Sequence, residues 1–328
     1  MSGRSDPLLR VRGLRTWYPI REGLMRRITG WVQAATDVSF DIAPGETMAL
    51  VGESGCGKTT VGHSILRLEK PQAGEVLFEG RDLLRLDRAE LRAVRQHIQI
   101  IFQDPMASLD PRMRVYDQIA EGLRSFGLAE TEATRRKRVE AIVERVQLDA
   151  SMIDRYPHEF SGGQRQRICI ARALAVEPRL IVCDESVSAL DVSIQAQILN
   201  LLRELQQELG LSYLFITHDL SVVRYLARQV AVMYLGQIVE LGPTERIFES
   251  PSHPYTKGLL AAIPSIDPMR RGAPPPVLGD VPSPSNPPSG CRFHTRCPEV
   301  MGRCREEAPD LFAQASGVSR CFLAEDRV

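Results

Sequence analysis

No uncharged apolar run in these 328 residues approaches the roughly 18 needed to span a bilayer. Met1–Arg10 likewise lacks the apolar core of a secretory leader. Net charge is missing too, since 41 basic and 41 acidic residues cancel. A balanced chain has no overall electrostatic pull toward nucleic acid, which favours basic patches and a high pI. It also has no acidic excess of the kind that keeps a chain disordered. Repeats with a period of about 20–50 residues and sustained heptads are absent, which argues against solenoids and long coiled coils. These absences point to a protein that stays in the cytosol and reaches a membrane only through a partner. Thiols stay reduced in that compartment, so the seven cysteines are not expected to pair as disulfides.

What is present suits one large globular domain plus an extension, with 43% hydrophobic and 25% charged residues. Leu8–Leu14, Val38–Ile42 and Met48–Val51 read as strands, with Pro19–Val32 as an intervening loop. A glycine-rich turn follows, and then a helical pattern from Thr59 to Arg67. From about 104 to 174 the pattern is helical, and Arg135–Arg138 reads as a solvated helix face. Leu180–Cys183 reads as a buried strand, Ile194–Leu209 as an amphipathic helix and Ser212–Thr217 as another strand. Strands alternating with helices argue for a mainly parallel sheet. Near residue 250 the composition shifts, and 13 of the 22 prolines fall at or beyond Pro251. Proline at that density removes backbone donors and fixes φ, so continuous helix or sheet is not expected there.

Gly52-Glu53-Ser54-Gly55-Cys56-Gly57-Lys58-Thr59 fits G-x-x-x-x-G-K-[ST] and sits between a strand and a helix. Glycines let the backbone wrap a phosphate and aim its N–H groups inward, and the helix N-terminus adds positive potential. Lys58 supplies a point charge to the β- and γ-phosphates, and the Thr59 hydroxyl is a Mg²⁺ ligand. This string alone does not choose among kinases, GTPases and motor ATPases. A second element narrows the choice. Ser161-Gly162-Gly163-Gln164 opens a helix, and the apolar run Leu180–Cys183 ends in Asp184-Glu185. Such a pair puts one carboxylate at the Mg²⁺ shell and the next at an attacking water. One nucleotide seldom needs two phosphate-binding helix starts from one subunit, so the second is expected to serve a partner's site.

In these motifs the sequence resembles the ABC ATPase family. Ser161–Gln164 matches its signature, Leu180–Glu185 its Walker B strand and Ser188-Ala189-Leu190-Asp191 its D-loop. Gln103 and His218 match its Q-loop glutamine and switch histidine; taken alone, both would read as ordinary surface or core residues. Tyr18 falls where the family places an aromatic that stacks on adenine. The resemblance covers about Leu8 to Leu241. It implies an α/β P-loop NTPase of the ABC type: a mainly parallel core sheet, an antiparallel β subdomain and a helical subdomain at about 104–174. The implied dimer is head-to-tail. Gly52, Ser54, Gly55, Cys56, Gly57, Lys58, Thr59 and Thr60 of one subunit would face Ser161, Gly162, Gly163, Gln164 and Asp191 of the other across ATP. Mg²⁺ would be held through Thr59, Gln103 and Asp184. Glu185 would be the general base, His218 would sense the γ-phosphate, and Gln103 would link the metal to the permease-facing surface.

Within that family the chain is most similar to the ATPases of oligopeptide/dipeptide importers, of the second-ATPase type. The carriers of that likeness are the insertion from Tyr18-Pro19-Ile20 to Gly30-Trp31-Val32, Phe102–Pro105 with Ser108–Arg112, Pro251–Lys257, and the cysteine-bearing tail. The domains are then expected at 1–250 and, as a Pro/Cys-rich C-terminal extension, 251–328. Expected partners are a second ABC ATPase subunit in a heterodimer, two transmembrane permease subunits and, indirectly, an extracytoplasmic solute-binding protein, at the cytoplasmic face of the inner membrane. No nucleic acid is expected. Nickel, glutathione and oligosaccharides are the alternative cargoes. A soluble ABC ATPase acting on DNA or ribosomes is the competing class, disfavoured by the single ATPase domain and the lack of coiled coil. Four thiols, Cys291, Cys297, Cys304 and Cys321, crowd the tail. They read as metal ligands for Fe–S or zinc, with His294 able to substitute in a zinc site. The resemblance implies a [4Fe–4S] cluster, zinc being the alternative. Metal is expected to order this segment, and tail and nucleotide loop read as separate modules. Cys56, Cys169 and Cys183 are lone thiols of core or loop.

Overall fold

The computed structural model describes residues 6–23, 26–188, 190–262 and 279–325. The chain divides into two compact units, one of 1–43, 47–84 and 217–328, the other of 44–46 and 85–216. No helix among the described residues is long and apolar enough to cross a membrane.

The first unit holds two sheets. One is antiparallel, in the order Arg27–Ile42, Leu9–Glu22, Ala73–Phe78, Arg81–Asp82. Here the expected loop Pro19–Val32 is corrected. Pairing continues through Pro19↔Trp31 to Glu22↔Arg27, so the insertion is the end of a long β-hairpin. The alternation that marks a strand was muted, because Ile28 and Trp31 are 51% and 38% exposed and signal no buried face. Proline is tolerated because pairing with Ala73–Phe78 ends at Arg15, leaving that side of the strand open.

The other sheet of this unit places the wholly buried strand Thr47–Val51 parallel to Gln229–Tyr234. Gln237–Pro243, Gly317–Ser319 and Phe312–Gln314 follow antiparallel. The tail therefore supplies two strands, contrary to the expectation from its prolines. It also supplies the helix Pro254–Ala261. Proline is at home in the first turn of a helix, where its missing N–H is an orphan anyway. The His253 side chain completes the cap by accepting the Tyr255 N–H at 3.0 Å. The Pro282–Pro288 stretch is irregular, as expected; Pro274–Pro276 lie outside the described residues.

Aromatic rings lock this tail to the sheet. Tyr234, Tyr255 and Phe293 meet at centroid distances of 4.7, 5.2 and 5.4 Å, and all three are buried. Burial of each contributes about 1.5–3 kcal/mol. His253 packs on Phe293 as well, and its backbone N–H, with that of Ser252, is accepted by the fully buried Glu240 carboxylate. Burial lowers the His253 pKa to about 3. The unfolded chain, with an ordinary value near 6.5, then binds a proton that the folded chain refuses. Stability from this residue is complete above about pH 6.5 and erodes as pH falls toward 3, by about 1.4 kcal/mol per pH unit. Denaturant midpoints at pH 7.0 and 5.5 should differ in the wild type and converge in His253→Gln; equal slopes in both would refute this origin.

In the second unit Ile98–Ile101, Leu180–Asp184 and Ser212–Thr217 pair in parallel. Helices Pro105–Ser108, Val115–Phe126, Glu132–Arg145 and Gly162–Leu174 occupy the expected helical stretch. The arginine run is a charged face: Arg136 pairs with Asp154 at 2.6 Å and Arg138 with Glu177 at 2.7 Å. Helix Val192–Leu209 buries Ile198, Leu202 and Leu205 along one side.

Candidate functional site

Strand Thr47–Val51 delivers the chain into Gly52–Gly57, and helix Lys58–Ile65 follows at once. Gly57 is the N-cap in left-handed conformation, φ 102°. A Cβ there would lie 1.8 Å from the Ala34 carbonyl oxygen, so only glycine fits. Lys58 is 4% exposed, and its Nζ donates to the carbonyls of Gly52 at 2.9 Å and Glu53 at 3.0 Å. The ammonium is thereby folded over the loop, with the Cys56 thiol 3.8 Å away. Burial pushes the Cys56 thiol up, so it is a neutral wall of the loop. Ser54, Gly55 and Thr59 face solvent at the loop's rim. Tyr18, on Leu9–Glu22, is hydrogen-bonded through its side chain to Thr60 in the first turn of that helix. His218, exposed, belongs to this same unit, and Asp219 caps the next helix by accepting the Ser221 N–H at 2.9 Å.

The second unit carries the other motifs. Asp184 ends its strand buried, and Glu185 follows at φ +45°. A non-glycine residue in that region costs of order 1–3 kcal/mol and is held only where the surroundings over-determine it. Three contacts do so: Glu185 N donates to Ile216 O at 3.0 Å, and Ser188 N and Oγ donate to Glu185 O at 3.1 and 2.9 Å. Gln103 Nε2 donates to Glu185 Oε2 at 2.9 Å. Two residues 82 apart, each named from a motif, are thus brought into contact.

Ser161 and Gln164 form a capping box. Gln164 N donates to Ser161 Oγ at 3.3 Å, and Ser161 N donates to Gln164 Oε1 at 2.9 Å. The outer residues of the signature thus satisfy two orphan donors of their own helix, and Gly162 and Gly163 lie between them at its start. Gly163 is also shaped by the fold, since a Cβ there would come within 2.6 Å of Ile194. Asp191 precedes Val192–Leu209 without a side-chain cap bond, and Val192 is 83% exposed. Ala189 lies outside the described residues.

Residues 35–188 match the ABC transporter family and residues 239–304 the oligopeptide/dipeptide transporter C-terminal region. A putative peptide import ATP-binding protein of Brucella ovis is 53% identical over 93% of this chain and 94% of its own length. The oligopeptide transport ATP-binding protein AppF of Bacillus subtilis is 48% identical over 94% and 95%. The chain belongs to the ABC transporter ATP-binding proteins. Among solved structures, cbiO1 of Clostridium perfringens, part of an ABC transporter complex, superposes with TM-score 0.64 at 28% identity, covering 75% of this chain and 92% of that one. A cassette solved as a post-hydrolysis dimer with ADP and phosphate gives the same score and identity over 72% and 98%. The α/β fold with a parallel core is thus the ABC cassette, and ATP hydrolysis is the activity of the family. Tyr18, Asp191 and His218 fall outside the ABC-matched segment, and Cys321 outside the C-terminal one.

The four tail thiols gather at one place. Cys291, Cys297, Cys304 and Cys321 are free and line one small cavity of about 10 Å³ together with Phe293 and Phe322. Among the described residues no three His, Cys, Asp or Glu side chains are placed to hold a metal ion. Burial pushes Cys291 up to about 11 and Cys297 to about 12. The motifs also gave no notice of Arg296, which forms an ion pair with Glu53 of the loop at 2.7 Å. A pairing across 243 residues leaves no local pattern to read.

Proposed function

We propose that this chain binds and hydrolyses MgATP to drive import of di- or oligopeptides through a separate membrane permease at the cytoplasmic face of the inner membrane. The observation that carries this reading is the joining, on one chain, of a phosphate loop built around Lys58 to a peptide-importer C-terminal region. The names of the relatives agree with it. A glutathione import ATP-binding protein of Salmonella choleraesuis, GsiA, is 55% identical over 81% of this chain and 42% of its own length, so glutathione stands as the alternative cargo.

Gly52, Ser54, Gly55, Cys56, Gly57, Lys58, Thr59 and Thr60 would cradle the phosphates, with Lys58 swinging from its carbonyl partners to the β- and γ-oxygens. Thr59, Asp184 and Gln103 would hold Mg²⁺, which neutralises charge developing on the phosphates. Glu185, restrained by Gln103, would take a proton from the attacking water, and His218 would contact the γ-phosphate. Tyr18 would stack on adenine. Ser161–Gln164 and Asp191 would complete the site of a second ATPase subunit, in a heterodimer beneath two permease subunits served by a solute-binding protein. In cells lacking this chain, labelled dipeptide uptake should fall to background and return with the wild type but not with Lys58→Ala; undiminished uptake in the deletion would reject the peptide assignment.

The tail thiols are the part of the reading that side-chain placement does not support, and metal analysis decides it. About four irons per chain in anaerobically purified protein would restore the [4Fe–4S] assignment, one zinc would restore the alternative, and neither leaves the thiols as core.

A further inference from the structure

The phosphate loop is held from behind by the tail. Arg296 makes a two-pronged ion pair with Glu53, Nη1 to Oε2 at 2.7 Å and Nη2 to Oε1 at 3.0 Å. Its side chain is 6% exposed, and that of Glu53 27%. The guanidinium also lies 5.8 Å from the Tyr234 ring centroid, and that ring belongs to the buried aromatic cluster. The Tyr255 hydroxyl accepts the Glu53 N–H at 3.0 Å. Glu53 is therefore fixed at both its main chain and its carboxylate by tail residues.

Glu53 is the second residue of the loop, and its carbonyl accepts a hydrogen bond from Lys58. A carboxylate free to turn inward there would repel a triphosphate, strongly so in a partly buried setting where the effective dielectric is low. The bidentate fork both neutralises that charge and fixes its direction. We infer that Arg296 is a positioning residue for nucleotide binding, one that keeps the Glu53 carboxylate turned away from the phosphate cradle and lets the loop accept MgATP. This rests on Gly52–Thr59 being the ATP loop.

The test is a set of variants in the full-length chain, assayed for KM and kcat with MgATP. Arg296→Gln should raise KM about tenfold, the scale of one lost charged hydrogen-bond pair, and leave kcat within about twofold. Adding Glu53→Gln to that variant removes the stray carboxylate and should recover most of the lost affinity. Glu53→Gln alone, which also guards against a misfolded Arg296→Gln, should shift KM by no more than about twofold, since no carboxylate is left to repel the nucleotide. A merely structural pair predicts the opposite: each single change loosens the loop and the double change is no better. An unchanged KM in Arg296→Gln, a double variant as weak as that single one, or a tenfold loss in Glu53→Gln would each overturn the inference. Lys58→Ala separates the two levels, for intact MgATP affinity there sinks the reading of the loop itself, whereas lost affinity there with an unaffected Arg296→Gln sinks only the role of Arg296.

Discussion

Glu185→Gln is expected to leave MgATP bound and to cut turnover at least about 10²-fold, the lower range for removing a positioned general base. Glutamine has the shape of glutamate, and its side-chain oxygen can still accept the Gln103 amide that now donates to Glu185 Oε2. The backbone contacts to Ile216 and Ser188 that hold the left-handed conformation involve main-chain atoms of residue 185 and survive the exchange. Only basicity is removed. The variant should accumulate as a closed, ATP-loaded dimer, detectable by size in the presence of MgATP. Near-normal hydrolysis would take Glu185 out of the role of base.

The second large effect concerns the signature. Gly162→Asp should leave MgATP affinity of the isolated chain within about twofold yet lower turnover about 10²-fold or more, as when a preorganised phosphate contact is lost. Gly162 is the better probe of a contact made in trans. A Cβ there meets only Leu190 at 3.7 Å, an ordinary contact, whereas one at Gly163 would strike Ile194 of its own chain at 2.6 Å. A change at Gly163 therefore mixes monomer damage with loss of the shared site. Equilibrium binding of MgATP to Gly162→Asp, compared with its steady-state turnover, separates the two levels. Lost binding by the single chain would mean that the signature serves the nucleotide of its own subunit.

What could be read from sequence was local. The loop Gly52–Thr59 and the box Ser161–Gln164 are contiguous, because a phosphate is wrapped by consecutive backbone N–H groups and a helix start is capped within four residues. The wholly buried strands Thr47–Val51 and Leu180–Asp184 announced themselves by apolar runs. The hairpin through Pro19 and Trp31 did not, since its outer ladder buries little. The tail strands Phe312–Gln314 and Gly317–Ser319 were hidden by their three-residue length and by the prolines before them. Tail and loop were read as separate modules, yet Arg296 grips Glu53 and Tyr255 holds its N–H. Crowding of the four cysteines and the family resemblance suggest ligands; the side chains gather around one apolar cavity, and among the described residues no three are placed to hold a metal ion.

ATP hydrolysis by this chain is harnessed to peptide import, and turnover in the reconstituted complex is the measurement that decides it. The chain, its partner ATPase and the permease are placed in vesicles, and phosphate release is followed as solute-binding protein is added with and without bound peptide. Slow basal turnover should rise when peptide-loaded binding protein arrives and vanish with Glu185→Gln. Turnover indifferent to peptide-loaded binding protein but raised by the same protein carrying nickel or an oligosaccharide would contradict it.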